Sequence, residues 1–450
     1  MTMRLLLSLS FLAFLGFSSS AQVISHRSLG NSLDNLVRWN TVYSEGHTGF
    51  SLSDLDSGEA LYGYNAERYF VPASNVKLLT FFVAQQMLGE EAPAVFYRAH
   101  GDTTDIWGTG YPLLLHPSFY AHDTLGGWLA DRRGHLVYHI PAGEEVPRYG
   151  AGWSWDDYNY GYVYERSALP VYGNRLYLDF RPEAVDGEVS GLFGSPPTVA
   201  AALIQNARQP RAISRREGSN QFTVGRNFYH PGNFPLERSL SVSPEFTVEQ
   251  LDAAFPDVAV SLGDAPRPPR ATLQQVTTPL PDTLLRKMLQ VSDNFLAEQL
   301  ILLAATERYG WPDEETFFSY LTDTLFVDMQ LGEIRYADGS GLSRYNLVKP
   351  RQFTQLLTAL DRAVGRDRLL DLLPTGGVNG TLEKRFDNRP EPYVWAKTGS
   401  LSGVICVSGL LRSRSGRWLS FSFLHNNVMV SPSAYYHEME NTLGWVYDNL

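Results

Sequence analysis

The spacing of apolar residues changes along this chain, and each spacing predicts a different kind of element. Polar and apolar residues alternate through residues 48–64 on both sides of a turn signal at Asp56, which predicts the two strands of a hairpin. A long apolar face then fills residues 72–88, between a Pro at position 72 and Gly89, and these flanking residues are typical of a helix start and stop. The chain is therefore predicted to open with strands followed by a helix.

The rest of the chain predicts an insertion, then helices, then a second set of strands. Short aromatic runs broken by Gly, Pro, Asp and Asn indicate a mostly β insertion over residues 100–269. The predicted segments after it are helices at 281–308 (interrupted at 291–294), 314–324, 350–364 and 434–447, and strands at 393–397, 403–411 and 418–424. Strands at both ends of a helical middle predict one α/β domain, formed by residues 22–99 and 270–450 and closed by both termini.

The first 21 residues have the pattern of a signal peptide. Arg4 supplies positive charge, residues 5–17 are an apolar run, and residues 19–21 are small, as a cleavage site requires. The run is shorter than the roughly 20 residues that a membrane-spanning helix needs. We expect an exported protein that begins near Gln22, has no membrane anchor and is soluble in the periplasm.

Composition narrows the classes of function. The 450 residues exceed the size at which one core usually stops growing, so more than one domain is expected. The formal net charge of -11 argues against a nucleic-acid partner, because a phosphate-binding surface needs clustered Lys and Arg. Cys406 is the only cysteine and lies in an apolar run, so it predicts a buried structural residue and excludes an internal disulfide.

Ser74 and Lys77 are spaced for covalent catalysis. They form Ser-x-x-Lys at the predicted start of a helix, where positions i and i+3 share a face. A serine hydroxyl is a weak nucleophile until a neighbouring base takes its proton, and a lysine amine can do so when its pKa is depressed. The pattern alone is weak, because a helix-capping Ser beside a solvated Lys would look the same.

The sequence from Lys397 to Ser400, Lys-Thr-Gly-Ser, is a more specific signal. The chain has only five Lys, so a Lys-Thr-Gly arises by chance about 0.02 times. On a strand, Lys397 supplies positive charge, the hydroxyls of Thr398 and Ser400 can bind a substrate carboxylate, and Gly399 lets a ligand approach closely. A third pattern, Ser-Asp-Asn at 292–294, falls at the predicted helix break, where a capping role would also explain it.

Together and in this order, the three patterns resemble those of the penicillin-recognising serine enzymes. The strings at 291–300, 338–344 and 377–385 are similar to those of the low-molecular-mass class C penicillin-binding proteins, the D-alanyl-D-alanine carboxypeptidases and endopeptidases. In that family a long insertion separates the first two patterns. The resemblance implies a penicillin-binding, serine β-lactamase-like transpeptidase domain, with an antiparallel sheet flanked by helices and an inserted, mostly β region.

The resemblance also implies a function and a set of roles. The substrate would be D-Ala-D-Ala in peptidoglycan stem peptides, with D-Ala-diaminopimelate cross-links as a second candidate substrate. β-Lactams would be acylating inhibitors, and no cofactor or metal is expected. The implied roles are nucleophile for Ser74, base for Lys77, proton relay for Ser292, amide contact for Asn294, carboxylate binding for Lys397, Thr398 and Ser400, an oxyanion hole from the N–H groups of Ser74 and Ser400, and contact with a substrate amine for Asp157.

Three alternatives remain open at this stage. A penicillin-binding sensor or scaffold would keep the same residues without turnover, and a β-lactamase or esterase could share the fold. A metallopeptidase would need more than the pair His135 and His139, whose surroundings alternate like a strand and contain no His-Glu-x-x-His.

Overall fold

Strands from both ends of the chain meet in one sheet. The protein was examined as a computed structural model, which describes residues 26–89, 91–180, 184–185, 188–189 and 191–450. The described strands are β1 (His47–Asp54), β2 (Ala60–Tyr64), β3 (Glu91–His100), β4 (Thr103–Gly108), β5 (Gly134–His139), β6 (Arg175–Phe180), β7 (Ala184–Val185), β8 (Glu188–Val189), β9 (Leu192–Ser195), β10 (Ile204–Gln205), β11 (Ile213–Arg215), β12 (Phe222–Val224), β13 (Leu236–Ser239), β14 (Val258–Gly263), β15 (Gln274–Pro279), β16 (Val394–Leu401), β17 (Val404–Arg412) and β18 (Trp418–Asn426).

The described α-helices follow the same mixed order. They are α1 (His26–Leu33), α2 (Thr41–Ser44), α3 (Lys77–Met87), α4 (Thr124–Ala130), α5 (Pro197–Ala201), α6 (Pro244–Ala254), α7 (Asp282–Gln290), α8 (Asn294–Tyr309), α9 (Glu314–Tyr320), α10 (Phe326–Asp328), α11 (Pro350–Val364), α12 (Arg366–Leu372) and α13 (Pro432–Asn449). Wider π turns, Asp34–Arg38 and Leu321–Leu325, continue α1 and α9.

The main sheet is antiparallel and has helices on both faces. Its strand order is β16-β17-β18-β1-β2, so the last three strands of the chain complete the sheet begun by the first two. Helices α3, α8 and α11 share one apolar core with one face, while α1 and α13 share a second core with the other. Because both faces are covered, β17 and β18 are buried along almost their whole lengths, and their polar residues are mostly small serines. The predicted antiparallel sheet flanked by helices is confirmed.

The interruption of the helical pattern at 291–294 is a real helix boundary. Helix α7 ends at Gln290, and Asp293 caps α8 by accepting a hydrogen bond from the backbone N–H of Leu296 at 3.1 Å. Between them Ser292 has a left-handed backbone, with φ of +63°. Helix α8 is buried on all sides over Asn294–Thr306 and runs through the centre of the protein, so its first residues are held firmly.

A second sheet lies at the base of the predicted insertion. Its order is β14-β5-β4-β3-β15, with β5 parallel to both β4 and β14. The strands β3 and β15 flank residues 100–269, so this sheet takes strands from both sides of the predicted boundary. Two three-stranded sheets, β13-β6-β9 and β10-β12-β11, share a small apolar core farther into the insertion. The division of the chain into domains stays a prediction.

The main differences from the predicted elements are short helices. Helix α11 has the predicted bounds, whereas α1, α2, α12 and the insertion helices α4, α5 and α6 were not predicted. Helix α4 shows why, because it contains Gly126 and Gly127, which are poor helix formers, and depends on capping by Asp123. The predicted signal peptide lies outside the described residues. In the described part of the chain, no helix is both long and apolar enough to cross a bilayer.

Candidate active site

Ser74 lies on a tight turn that is forced into position by its neighbours. The turn is a 3-10 helix, Ala73–Val76, that leads directly into α3. Ala73 has a left-handed backbone, with φ of +47°, which is unfavourable for a residue with a side chain. Two glycines allow the surrounding chain to close on this turn, since a Cβ at Gly341 would lie 2.0 Å from the Ala73 carbonyl oxygen and one at Gly399 would lie 3.0 Å from the Ser74 nitrogen.

Lys77 is fully buried directly below the nucleophile. Its Nζ lies 3.0 Å from Ser74 Oγ, 2.5 Å from Asn294 Oδ1 and 2.6 Å from the carbonyl oxygen of Ser340. Burial lowers the pKa of Lys77 to about 8, against the opposing effect of nearby carboxylates, the first of which is Asp338. Roughly a tenth of this lysine is therefore neutral at pH 7, far more than for a lysine with the usual pKa.

Three oxygens surround the Lys77 nitrogen, and this arrangement would allow the lysine to act as a base. The ammonium form has three N–H groups and can donate to all three oxygens. When the proton is lost, two N–H groups can stay on Asn294 Oδ1 and the Ser340 carbonyl, so that the lone pair points at Ser74 Oγ. The hydroxyl of Ser74 can then donate to Lys77, which is the arrangement that a nucleophile and its base require.

The Ser-Asp-Asn segment lies opposite this pair. Ser292 faces the same cleft as Ser74, and the amide of Asn294 connects Lys77 to the backbone carbonyl of Tyr162, which accepts from Nδ2 at 2.8 Å. Asp293 faces away from the cleft and forms a buried, two-pronged ion pair with Arg175, at 3.0 and 3.2 Å. Breaking such a buried pair by removing one partner costs about 3–5 kcal/mol, so this pair fixes the segment firmly.

The Lys-Thr-Gly-Ser sequence occupies β16, an edge strand beside the turn that carries Ser74. Thr398 and Ser400 line the cleft, and Thr398 Oγ1 donates to Thr381 Oγ1 at 2.7 Å. Lys397 is buried behind them and donates to the backbone carbonyl of Thr398 at 2.7 Å. Burial, and then the positive charge of Lys77, hold the pKa of Lys397 well below its usual value.

One cleft of about 600 Å³ joins these elements. Most of the predicted site residues line it, and the two lysines lie just beneath its floor. The lining residues from the predicted set are Ser74, Asp157, Ser292, Asn294, Thr398 and Ser400. Asp157 lies at the rim on a 3-10 turn, Trp155–Asn159. Burial, and then the nearby Asp157 carboxylate, raise the pKa of Tyr162 to about 12. The described residues contain no cluster of His, Cys, Asp and Glu that could hold a metal ion.

Comparison with known proteins decides the family. The sequence model for the D-Ala-D-Ala carboxypeptidase 3 (S13) family matches residues 31–94 and 145–447. The chain belongs to this family. It is 25% identical over 414 residues to the D-alanyl-D-alanine carboxypeptidase DacB of Haemophilus influenzae, covering 83% of this chain and 84% of that protein.

The fold agrees with this assignment. The crystal structure of penicillin-binding protein 4 (dacB) from Haemophilus influenzae superposes with a TM-score of 0.70 at 21% identity, covering 93% of this chain and 99% of the other. A second structure of that protein, in complex with a β-lactam, superposes with a TM-score of 0.65 at 19% identity and the same coverage. The resemblance found from the three sequence patterns is confirmed, and the chain is a serine-type D-Ala-D-Ala carboxypeptidase family enzyme.

Within this S13 enzyme, sequence reasoning missed the residues that support the catalytic groups. The loop from Asp338 to Ser343 supplies the carbonyl that binds Lys77, and Asp338 holds this loop by accepting from the N–H groups of Gly341 and Ser343 at 2.9 and 2.7 Å. The family-like string at 338–344 was visible in the sequence, but nothing in it shows that Ser340 contacts Lys77. Arg344 and Thr381 also line the cleft and were not predicted.

Proposed function

We propose that this S13 enzyme hydrolyses the D-Ala-D-Ala bond of peptidoglycan stem peptides through an acyl-enzyme on Ser74. The observation that carries the proposal is the position of Lys77 Nζ, 3.0 Å from Ser74 Oγ and held by two further acceptors. In the first step Lys77 takes the Ser74 proton while Oγ attacks the carbonyl of the penultimate D-Ala. The carbon–nitrogen bond then breaks, and Ser292 donates its proton to the leaving amine of the terminal D-Ala while it takes the proton held by Lys77, which returns to the neutral form.

The second step returns the enzyme to its starting state. Lys77 takes a proton from water as the water oxygen adds to the ester carbonyl. The bond between that carbonyl and Ser74 Oγ then breaks, Lys77 returns the proton to Ser74, and the peptide leaves with a new carboxyl group that ionises in water. The backbone N–H groups of Ser74 and Ser400 are the proposed oxyanion hole, a role that agrees with the close approach of β16 at Gly399. The hydroxyls of Thr398 and Ser400 would bind the terminal carboxylate, with positive charge from Lys397 behind them.

The residues at the rim of the cleft lie where the stem peptide would continue away from the bond that is cut. We propose that Asp157, at the cleft rim, contacts an amine of the stem peptide, which would also suit D-Ala-diaminopimelate cross-links. The side-chain amide oxygen of Asn294, Oδ1, contacts Lys77 and has a second lone pair with which to accept a hydrogen bond from a substrate N–H. The enzyme would act in the periplasm after export by the N-terminal segment, and β-lactams would acylate Ser74 because they mimic acyl-D-Ala-D-Ala.

Labelling and turnover test this function together. We expect a fluorescent penicillin to label the wild-type protein and Ser319→Ala, a control at an exposed serine on α9, with the adduct on the peptide that contains Ser74 by mass spectrometry. Ser74→Ala should not be labelled, and the wild-type protein should release D-Ala from a pentapeptide. Labelling without D-Ala release would favour a sensor, rapid destruction of penicillin would favour a β-lactamase, and an adduct on Ser292 or Ser400 would refute Ser74 as nucleophile.

A further inference from the structure

A buried carboxylate lies behind the catalytic lysine, on the far side of the loop that binds it. Glu298 is on α8, one turn beyond Asn294, and is 1% exposed. Its Oε1 accepts a hydrogen bond from the backbone N–H of Ser340 at 2.7 Å, while the carbonyl of the same residue binds Lys77 Nζ at 2.6 Å. A single residue, Ser340, therefore connects Glu298 to Lys77: its N–H binds the carboxylate and its carbonyl binds the lysine.

We propose that Glu298 is a positioning residue for Lys77. Glu298 fixes the Ser340 carbonyl against Lys77 Nζ, and its negative charge sets the pH at which Lys77 becomes a base. The proposal rests on the function given to Lys77 above. Two parts follow from it, one that depends on the reach of the carboxylate and one that depends on its charge.

The positional part follows from how closely the loop is packed. Glu298 fixes one side of Ser340, and Asp338 fixes the other through the N–H of Gly341 at 2.9 Å. Gly341 in turn lies against the turn that carries the nucleophile, because a Cβ there would meet the Ala73 carbonyl oxygen at 2.0 Å. A movement of the Ser340 carbonyl would therefore displace Lys77 with respect to Ser74, because the carbonyl binds Lys77 directly and the next residue packs against the turn that carries Ser74.

The electrostatic part follows from the charges around Glu298. Arg166, from the insertion, approaches Glu298 Oε2 at 3.3 Å but also forms an ion pair with Glu314 at 2.5 Å, so its charge is shared. Asp338 and the hydroxyl of Tyr336 also face Glu298. Burial and the negative charge of Asp338 together raise the pKa of Glu298 to about 7.

Lys77 experiences this charge while it titrates. The carboxylates that raise its pKa are Asp338, Glu298 and Asp293, and the nearby cation is Lys397. The pKa values of Glu298 and Lys77, about 7 and about 8, lie close together, so Glu298 is largely ionised over the upper part of the pH range in which Lys77 loses its proton. Removing the charge should lower the pKa of Lys77. Because the neutral amine is the active form, acylation should then begin at lower pH.

The decisive variant is Glu298→Gln, which keeps an oxygen for the Ser340 N–H and removes the charge. Arg166 keeps its partner Glu314, so no buried guanidinium loses its ion pair entirely. The measurement is the second-order rate constant for acylation by a fluorescent penicillin between about pH 5 and 10, a range that brackets the pKa values of Glu298 and Lys77, about 7 and about 8. We expect the acid limb of the profile to move down by about 0.5–1 pH unit, as loss of one nearby opposite charge produces.

The matched control is Glu165→Gln. Glu165 is also a buried carboxylate, 2% exposed, and accepts from the Tyr149 hydroxyl and the Val242 N–H, but it is not among the groups that act on Lys77. Its loss should leave the acid limb in place. A profile for Glu298→Gln that superposes on the wild type, or an equal shift in both variants, would overturn the role of the Glu298 charge.

Glu298→Asp tests the positional part and remains informative if the Gln variant does not fold. It keeps the charge but withdraws the carboxylate from the Ser340 N–H by one methylene. We expect the acid limb to stay near the wild-type position and the plateau rate to fall by about 10- to 100-fold, as displacement of a catalytic group does. A wild-type plateau would refute the positional role. If the wild-type protein itself is not acylated on Ser74, the proposed function fails, whereas unchanged variants would refute Glu298 alone.

Discussion

Gly399 allows β16 to approach the nucleophile, and the substitution Gly399→Ala tests how much catalysis depends on that approach. A Cβ at this position would lie 2.8 Å from the Pro72 carbonyl oxygen, 3.0 Å from Asn75 Oδ1 and 3.0 Å from the Ser74 nitrogen. Ordinary contact begins at 3.4 Å, so the strand and the turn must separate by 3.4 − 2.8 = 0.6 Å at the first of these contacts. Two of the three atoms are backbone, so no side-chain rotation can relieve the overlap.

The separation acts directly on the proposed oxyanion hole. Its two N–H groups belong to Ser74 on the turn and Ser400 on the strand, so moving β16 outward widens the distance between them. Loss of one oxyanion donor costs about 10²–10³ in rate, and a misplacement near 1 Å costs about 10². For a displacement of about 0.6 Å we expect acylation by penicillin to fall by about 10- to 100-fold. Overpacking should also cost about 1–3 kcal/mol of folding free energy.

The assay separates a local effect from general destabilisation. Acylation rate constants and melting temperatures would be measured for Gly399→Ala and for Gly127→Ala, a control on α4 where a Cβ would meet nothing within 4 Å. The control should keep the wild-type acylation rate and gain slight stability, because Ala is the better helix former. A Gly399→Ala protein that acylates at the wild-type rate would show that the close approach of β16 is not needed for catalysis.

Two further predictions concern the buried lysines. Lys77→Arg should lower kcat for D-Ala release by about 10² or more, because Arg cannot give up its proton. The wild-type acylation rate should rise with pH through the Lys77 pKa of about 8. If the variant is as active as the wild type, Lys77 is not the base. Lys397→Met should abolish most activity yet raise the melting temperature measured at pH 6. The pKa of Lys397 in the folded protein is well below its value in the unfolded chain, so the lysine destabilises the folded state increasingly as pH falls. A lower melting temperature for the variant would contradict this.

The main sheet and the three catalytic segments could be predicted because their signals are local. The apolar runs of β17 and β18, the Pro at the start of α11 and the polar break before α8 each reflect the structure of a few consecutive residues. The same holds for the spacing of Ser74 and Lys77, which one helical turn brings together. Such features depend little on the rest of the fold, and a single sequence is enough to find them.

The contacts that make the site work were not predictable in this way. The hydrogen bond from Lys77 to Asn294 joins residues separated by 217 positions, and the one from Lys77 to Ser340 joins residues separated by 263. Nothing local in the sequence indicates that Glu298 faces Ser340, or that Lys397 is buried without a carboxylate partner in the described structure. These contacts are decided by how α3, α8 and the loop at Asp338 pack together.

Several unfavourable features of the fold lie at the proposed catalytic segments. Ala73 and Ser292, both with left-handed backbones, stand at the first two segments, and the buried lysines with lowered pKa, Lys77 and Lys397, stand at the first and third. Left-handed geometry costs about 1–3 kcal/mol per residue and persists only where packing imposes it. Here α8 is buried on all sides and Gly341 fits closely against the turn, so the rest of the domain supplies the rigidity that holds the Lys77 amine beside the Ser74 hydroxyl.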